Sequence, residues 1–332
     1  MTTSTILSVR DLRVASGDRA AVRGVDFEIR RGERVGLVGE SGSGKSMTAL
    51  SIMGLLPPSW TATGSVVHDG ADLLTMNEKE LADRRGRTIS MVFQDPMLAL
   101  NPVRRVGAQV ADVLRRHEHL PRAEAERRVV RLFEEMGLPR AEHLKDAYPH
   151  QLSGGQRQRV MIATAVACSP DLIIADEPTT ALDVTVQKRV LRLLNRTVEE
   201  RGSALFLITH SLPVVAATCR KVGVMYGGTL VEFGDVQAVL GAPRHPYTRA
   251  LLRSQPVLDP EKFHPSSRLP FIRGSVPNLK DMPEGCPFSN RCDEAHETCN
   301  RRPPTLTVDG VRVACWKAGS DEAVRNGDEV RS

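Results

Sequence analysis

A chain of 332 residues, of which 41% are hydrophobic, is long enough for about two domains, each with a buried core. No apolar run approaches the roughly 18 residues that a membrane-spanning helix needs, and residues 1–5 lack the form of a signal peptide, so we expect a cytosolic protein. The net charge of +5 is mild, its basic residues are scattered, and aromatic residues are scarce, which disfavours a nucleic-acid partner.

The first part of the chain predicts short strands that lead into a helix. Residues 6–9, 12–14 and 25–29 carry strand-like apolar residues, and residues 33–38 read as a buried strand. Residues 46–53 then show a helical pattern. A strand followed by a glycine-rich turn and a helix is the setting in which proteins bind phosphate groups.

The turn between that strand and that helix fits the pattern G-x-x-x-x-G-K-[ST] at every fixed position. Its glycines let backbone N–H groups surround a phosphate, and the helix N-terminus adds a favourable dipole. Lys45 would reach the β- and γ-phosphates, and the Ser46 hydroxyl would ligate Mg²⁺. The predicted ATP-binding residues of the loop are Gly39, Glu40, Ser41, Gly42, Ser43, Gly44, Lys45 and Ser46. We predict a nucleoside triphosphate site rather than a chance glycine-rich turn.

The middle of the chain predicts a helical insert, from about residue 100 to 168, within an α/β fold. Apolar residues share one helical face in 106–114 and another in 129–136. Buried apolar strands that alternate with helices predict a mixed, mostly parallel sheet covered on both faces. The further predicted strands are 64–67, 89–93, 172–175, 205–208 and 222–225, and the later helices are 184–201 and 212–219.

Polar residues follow three of these strands. Asp176 and Glu177 end an apolar run; a carboxylate there can hold Mg²⁺, and Glu177 can polarise an attacking water, although a capped strand end is the structural alternative. Gln94 can ligate Mg²⁺ or water, and His210 lies at the ligand edge of the sheet. Residues 152–156 place two glycines and a serine before a helix, which predicts a second phosphate contact.

Together these motifs resemble the nucleotide-binding subunit of an ATP-binding cassette (ABC) transporter over about residues 6–240. The resemblance implies an ABC-type P-loop NTPase core that works as a head-to-tail dimer. In this dimer the signature of one subunit, residues 152–156, closes over ATP held by its partner. It implies Glu177 as the general base, His210 as a contact to the γ-phosphate, and Gln94 as a further catalytic residue. Mg²⁺ would be held by Ser46, Gln94 and Asp176. The remaining implied ATP contacts are Ser153, Gly154, Gly155, Gln156 and, in the D-loop, Asp183.

One position departs from the family pattern. Members usually carry an aromatic residue upstream of the phosphate loop that stacks on adenine, but residues 15–19 contain no Tyr, Phe or Trp. We expect Arg19 or Val22 to pack there instead. Discrimination between ATP and GTP is therefore predicted to be weaker than in a homologue with the stacking residue.

The proline-rich segment from about residue 245 indicates which branch of the ABC family the chain resembles. Residues 245–252 and 285–292, with 93–96 and 100–102 earlier, resemble the ATPases of oligopeptide and dipeptide importers. We expect an ATPase domain at 1–244, a small loop-rich C-terminal domain at 245–318 and a disordered tail at 319–332.

Four of the six cysteines lie in this segment, and their spacing lacks the C-x₂-C knuckle of common zinc sites. Four thiolates in a cytosolic chain suit one soft metal centre, either a [4Fe–4S] cluster or zinc, with free thiols as the remaining alternative. The family resemblance favours the iron–sulfur cluster, which would staple a domain that is too small for a core of its own. The predicted ligands are Cys286, Cys292, Cys299 and Cys315.

The resemblance implies the ATPase of a peptide importer on the cytosolic face of the cell membrane. Two membrane-spanning permease subunits, docked near residues 94–101, and an extracytoplasmic solute-binding protein would complete the complex. A second ATPase subunit is implied, and a heterodimer is favoured because this branch commonly pairs two different ATPases. The alternatives are import of nickel or another small solute, a soluble ABC ATPase without a transport role, a cluster that regulates transport, and an exporter.

Overall fold

The computed structural model describes residues 4–179, 184–255 and 271–318. Its strands are β1 (Thr5–Ser16), β2 (Arg19–Arg30), β3 (Arg34–Val38), β4 (Thr61–His68), β5 (Ala71–Asp72), β6 (Ile89–Val92), β7 (Leu172–Asp176), β8 (Ala204–Ile208), β9 (Lys221–Tyr226), β10 (Thr229–Asp235), β11 (Leu306–Val308) and β12 (Val311–Val313). Its α-helices are α1 (Lys45–Met53), α2 (Glu78–Arg84), α3 (Pro96–Ala99), α4 (Val106–His117), α5 (Arg122–Glu135), α6 (Ala141–Leu144), α7 (Gly154–Val166), α8 (Val184–Arg201), α9 (Leu212–Thr218), α10 (Val236–Gly241) and α11 (Pro246–Arg253). Short 3₁₀ turns occur at 73–75, 149–151, 289–291 and 297–300.

The larger sheet carries the functional edge of the molecule. Strands β9, β3, β8, β7 and β6 lie side by side and parallel, and their side chains are almost entirely buried. Helices cover such a sheet on both faces, which is why the strands read as continuous apolar runs. The prediction of a mixed, mostly parallel sheet is confirmed. Because the strands are parallel, the C-terminal ends of β3, β7 and β8 meet at one edge.

The N-terminal strands form a second, antiparallel sheet in the order β2-β1-β4-β5. Residues 6–9 and 12–14 were expected to form two strands, but they belong to the single strand β1. The pairing register shifts between Val9 and Leu12, and Asp11 has a φ of 42°. A bulge therefore interrupts the apolar alternation without ending the strand.

The helical insert packs as its apolar spacing predicts. The apolar faces of both helices are buried. The exposed fraction is at most 1% for Val106, Val110 and Leu114 of α4 and for Val129 and Phe133 of α5. These residues share one continuous core with the larger sheet. The amphipathic pattern therefore positions α7, whose first turn carries the predicted signature, against the sheet.

The C-terminal segment, residues 271–318, is joined to the larger sheet. Strand β12 pairs antiparallel with β10, where Glu232 lies opposite Val313, and β11 adds to its outer edge. Most of the segment between these contacts is irregular, in agreement with its high proline content. The expected disordered tail at 319–332 lies outside the described residues.

None of the helices in the described residues has the length and apolar character that crossing a membrane requires.

Candidate nucleotide-binding and hydrolysis site

The phosphate loop connects β3 to α1, as predicted. Lys45 is 5% exposed, and its Nζ donates hydrogen bonds to the carbonyl oxygens of Gly39 and Glu40, both at 2.9 Å. Burial lowers the pKa of the Lys45 ammonium, and the nearby carboxylates of Glu177, Asp176 and Glu40 act in the opposite direction. An ammonium held in this way is placed to exchange carbonyl oxygens for phosphate oxygens.

Gly44 shows why the loop requires glycine. Its φ of 101° is in the left-handed region, and a Cβ added there would lie 2.3 Å from the carbonyl oxygen of Ala21. By contrast, a Cβ added to Gly42, which has a φ of 78°, would meet no atom within 4 Å. The loop therefore packs closely against the backbone of β2 at Gly44, whereas at Gly42 there is space for a side chain.

Asp176 at the end of β7 provides a fitting ligand for a divalent cation. Its side chain is 5% exposed, and Oδ1 has no hydrogen-bond partner within the part of the chain that is described. Burial raises the pKa of this carboxyl, and the adjacent Ser46 hydroxyl and Lys45 ammonium lower it. A buried carboxylate oxygen without a partner beside a hydroxyl suits Mg²⁺, which prefers oxygen ligands.

Glu177 brings two other predicted site residues together. The Nδ1 atom of His210 lies 3.4 Å from Glu177 Oε2, and the Gln94 amide donates to the same oxygen at 3.4 Å. Glu177 has a φ of 45°, and its backbone N–H donates to the carbonyl oxygen of Ile208 at 2.8 Å. A non-glycine residue in the left-handed region is strained by about 1–3 kcal/mol, and at Glu177 the bond to Ile208 helps to hold this conformation.

One cavity is shared by the phosphate loop and two of these three residues. Gln94 and Glu177 line it, together with the phosphate loop from Ser41 to Ser46. Trp60, which precedes β4, lines the same cavity, and the guanidinium of Arg19 lies 5.7 Å from the centroid of its ring. Sequence reasoning missed Trp60 because it lies outside every motif and far from residues 15–19, where the aromatic was expected. Of the two suggested substitutes, Arg19 adjoins this aromatic, whereas Val22 is buried in the core.

The predicted signature forms the N-terminus of α7 instead of lining that cavity. Ser153 is the N-cap, its hydroxyl accepts from the Gln156 N–H at 3.3 Å, and its own N–H donates to the Gln156 side chain at 2.8 Å. Ser153 is exposed, and Gly154 and Gly155 are partly exposed. The reciprocal bonds form a capping box, and the helix begins at Gly154, directly after the cap. Asp183, the predicted D-loop residue, lies outside the described residues.

The four clustered cysteines line one small cavity in the C-terminal segment, where all four are free thiols. Burial raises the pKa of the Cys286 and Cys292 thiols to about 11 and also raises that of Cys315. Cys299 Sγ lies 3.2 Å from His296 Nδ1. The chemistry of this donor set suits a soft metal. However, nowhere in residues 4–179, 184–255 and 271–318 are three or more His, Cys, Asp or Glu side chains arranged to hold a metal ion.

Comparison with known proteins places these features in one family. The model of the ABC transporter family matches residues 22–180, and the model of the oligopeptide/dipeptide transporter C-terminal region matches residues 231–299. The oligopeptide transport ATP-binding protein OppD of Salmonella typhimurium is 47% identical over 317 residues, which cover 94% of this chain and 93% of OppD. The chain belongs to the ATP-binding proteins of oligopeptide and dipeptide ABC transporters.

A further relative and a solved structure support that assignment. The probable D,D-dipeptide transport ATP-binding protein DdpD of Escherichia coli is 47% identical over 95% of this chain and 97% of its own length. Among solved structures, a dimeric ATP-binding cassette in a post-hydrolysis state with bound ADP and Pi matches with a TM-score of 0.62 and 28% identity. That match covers 69% of this chain and 98% of the cassette. As an ABC ATPase, the chain binds ATP with Mg²⁺ and couples its hydrolysis to transport.

Proposed function

We propose that this chain is the ATP-hydrolysing subunit of an importer of dipeptides or oligopeptides. The observation that carries the proposal is the meeting of the phosphate loop, Gln94 and Glu177 around one cavity in a chain whose C-terminal region matches the oligopeptide/dipeptide transporter family. The curated relatives OppD and DdpD match nearly the whole chain, and their names refer to oligopeptide transport and D,D-dipeptide transport.

The chemistry follows from the position of Glu177. Its carboxylate accepts a proton from a water molecule as the water oxygen bonds to the γ-phosphorus and the bond to ADP breaks. His210 and Gln94 orient this carboxylate through the contacts at 3.4 Å. Lys45 and the backbone N–H groups of the loop bind the phosphates. Asp176, Ser46 and Gln94 would hold Mg²⁺, which would supply positive charge to neutralise the phosphates.

A second ATPase subunit completes the site in this proposal. The signature residues Ser153 to Gln156 lie at an accessible helix N-terminus, outside the cavity of their own phosphate loop. A helix N-terminus binds anions, so in a head-to-tail dimer these residues, with Asp183, close over ATP held by the partner. ATP binding closes the dimer and hydrolysis reopens it, and we propose a paralogous ATPase as the partner.

The membrane subunits are proposed to dock beside Gln94, on the cytosolic face of the membrane. Met97, Leu98 and Val103 are large apolar side chains in this region that are 43%, 88% and 79% exposed. Exposed apolar side chains that follow Gln94 closely in the sequence suit a protein interface that can sense nucleotide state. Replacing Leu98 with Asp is expected to abolish copurification with the permease subunits while leaving ATP binding intact.

The transported solute can be tested in cells from which the gene is deleted. Uptake of labelled dipeptide, labelled tetrapeptide and nickel is measured after complementation with the wild-type gene or with Glu177→Gln. Restoration of peptide uptake by the wild type alone supports the proposal. If the wild-type gene restores nickel uptake but not peptide uptake, the transported solute is nickel instead of a peptide. Full peptide uptake in the deletion strain refutes the proposal.

We further propose that Cys286, Cys292, Cys299 and Cys315 hold a [4Fe–4S] cluster, with zinc as the alternative. The common cavity of the four thiols supports this, and the cluster would staple a segment with little regular structure of its own. Anaerobic purification followed by iron, sulfide and zinc analysis provides the test. About four iron and four sulfide per chain, lost on Cys→Ser substitution, are expected. One zinc without sulfide refutes the cluster, and the absence of both metals refutes any metal centre.

A further inference from the structure

Arg291, in the C-terminal segment, forms a two-point ion pair with the phosphate loop. Its Nη1 lies 2.6 Å from Oε2 of Glu40, and its Nη2 lies 3.2 Å from Oε1. The Arg291 side chain is only 6% exposed and that of Glu40 is 26% exposed. Charge-assisted bidentate pairs of this kind fix geometry as well as charge. The pair joins residues that are 251 positions apart in the sequence.

The guanidinium of Arg291 is itself held in place. Its Nε donates to the carbonyl oxygen of Arg273 at 2.8 Å, and Nη2 donates to the carbonyl oxygen of Gly274 at 3.3 Å. Nη1 also donates to the hydroxyl of Tyr226 at 3.2 Å. Because these bonds come from different parts of the chain, the position of the guanidinium depends on how the C-terminal segment packs.

A second contact from outside the ATPase motifs reaches the same loop residue. The backbone N–H of Glu40 donates to the hydroxyl of Tyr247 at 2.9 Å. Tyr247 is fully buried, and its ring packs against those of Tyr226 and Phe288, with centroids 4.6 and 5.3 Å away. Glu40 is therefore fixed at its backbone and at its side chain.

Within the loop, Glu40 is bonded to the residues that meet the phosphates. Its carbonyl oxygen accepts hydrogen bonds from Lys45 Nζ at 2.9 Å and from the N–H of Ser43 at 3.2 Å. A displaced Glu40 therefore displaces Lys45. In addition, an unpaired Glu40 carboxylate would repel the phosphates of an incoming nucleotide.

We infer that Arg291 is a positioning residue for nucleotide binding, which acts through Glu40 and links the C-terminal segment to the phosphate loop. The inference rests on the proposed function only in requiring that the loop bind ATP. It goes beyond that function because it assigns a role in the nucleotide site to the segment that carries the four cysteines. Arg291 immediately precedes Cys292, so changes in the packing of the cysteine-bearing segment reach the loop through this pair.

A double-mutant cycle tests the inference. The variants are Arg291→Gln, Glu40→Gln and the double variant, and the readouts are the dissociation constant for ATP, KM, kcat and the melting temperature. Arg291→Gln leaves Glu40 unpaired, so we expect ATP affinity to fall roughly tenfold, within the range for coupled positions. KM should rise with it, while kcat at saturating ATP changes less. Glu40→Gln removes the repulsion as well as the pair and should cost less affinity.

The double variant decides whether the two residues act together. If they do, Arg291→Gln has little further effect once Glu40 is Gln, and Arg291→Lys restores part of the ATP affinity as a single positive charge. Independent effects that simply add in the double variant overturn the inference. An ATP affinity of Arg291→Gln equal to that of the wild type overturns it as well.

Arg249 supplies a matched control in the same region. Its side chain is also 6% exposed and pairs with Glu294 of the C-terminal segment instead of with the phosphate loop. Arg249→Gln should lower the melting temperature but leave the ATP dissociation constant near that of the wild type. If Arg249→Gln weakens ATP binding as much as Arg291→Gln does, the role of Arg291 is structural only. A wild-type chain that fails to bind ATP would refute the proposed function itself.

Discussion

The imidazole Nδ1 of His210 lies 3.4 Å from the Glu177 carboxylate, although the two residues follow different strands of the sheet. Parallel pairing of β7 with β8, which sets Asp176 opposite Ile208, brings them together. Glu177 is held in this position by its left-handed backbone and its bond to Ile208. The sheet therefore delivers the base and its partner to the edge where β3 ends in the phosphate loop.

Glu177→Gln should separate ATP hydrolysis from ATP binding. The amide keeps the shape of the side chain and can still contact Gln94, but it cannot accept the proton of the attacking water. General-base catalysis contributes about 10²–10⁴-fold, so kcat is expected to fall by at least about 100-fold while the dissociation constant for ATP changes little. Phosphate release and equilibrium ATP binding are the two measurements. Glu135→Gln, which removes an ion pair with Arg201 away from the site, is the control and should keep the wild-type kcat. If Glu177→Gln also keeps the wild-type kcat, Glu177 is not the general base.

Gly44→Ala and Gly42→Ala should differ although both glycines have positive φ. A methyl group at Gly44 would collide with the Ala21 carbonyl oxygen, which belongs to backbone and cannot move aside cheaply, whereas that at Gly42 enters open space. Gly44→Ala is expected to abolish measurable ATP binding and to lower the melting temperature. Gly42→Ala should cost about 1 kcal/mol of conformational strain and retain binding. Isothermal titration with ATP distinguishes them, and equal losses would contradict the packing argument.

The sequence predicted those parts of the site that local patterns encode. The phosphate loop, the Asp176–Glu177 strand end and the helical faces at Val106 and Val129 depend on spacing within a few residues, so pattern and structure agree. Trp60 and Arg291 reach the site through tertiary contacts, and their sequence neighbours carry no signal for this. The addition of β12 to β10 likewise depends on long-range pairing, which short apolar segments do not specify.

Trp60 is expected to contact the nucleobase in place of the aromatic that is absent from residues 15–19. It lines the cavity of the phosphate loop and is paired with Arg19. Aromatic–base stacking is worth about 1–3 kcal/mol, so Trp60→Ala should weaken ATP binding by roughly fivefold or more. Binding of inorganic tripolyphosphate, which has no base, should be unchanged. The predicted weaker discrimination between ATP and GTP remains a prediction, and the GTP dissociation constant tests it in the same assay.

Tryptophan fluorescence provides a second test of the contact between Trp60 and the nucleobase, which does not rely on measured affinities. The chain has two tryptophans, and Trp316 lies in the C-terminal segment, where its Nε1 donates to the carbonyl oxygen of Arg301 at 3.2 Å. In Trp316→Phe, ATP should still quench the emission of Trp60, and tripolyphosphate should not. Trp60→Phe should retain ATP binding near the wild-type level. If ATP and tripolyphosphate bind Trp60→Ala with unchanged affinities, Trp60 has no part in base recognition.

Glu232 of β10 should make stability depend on pH. Its side chain is 1% exposed, and burial raises its pKa from 4.5 to about 7, although its Oε1 accepts from the Arg244 N–H at 2.7 Å. Between these two pKa values the folded state binds more protons than the unfolded state, so this contribution to stability is complete below pH 4.5 and is lost as pH rises through about 7. The loss amounts to about 3 kcal/mol.

Glu232→Gln should therefore be more stable than the wild type at pH 8, by up to about 3 kcal/mol, and similar to it at pH 4.5. The neighbouring His245 has the opposite effect: burial lowers its pKa from 6.5 to about 3, so its contribution is lost as pH falls below 6.5. Both proteins retain His245, so the difference between their unfolding free energies isolates Glu232. Urea unfolding at pH 5, 6, 7 and 8 measures that difference. A difference that stays constant across this range would show that Glu232 remains ionised in the folded protein at pH 5 and above, despite its burial.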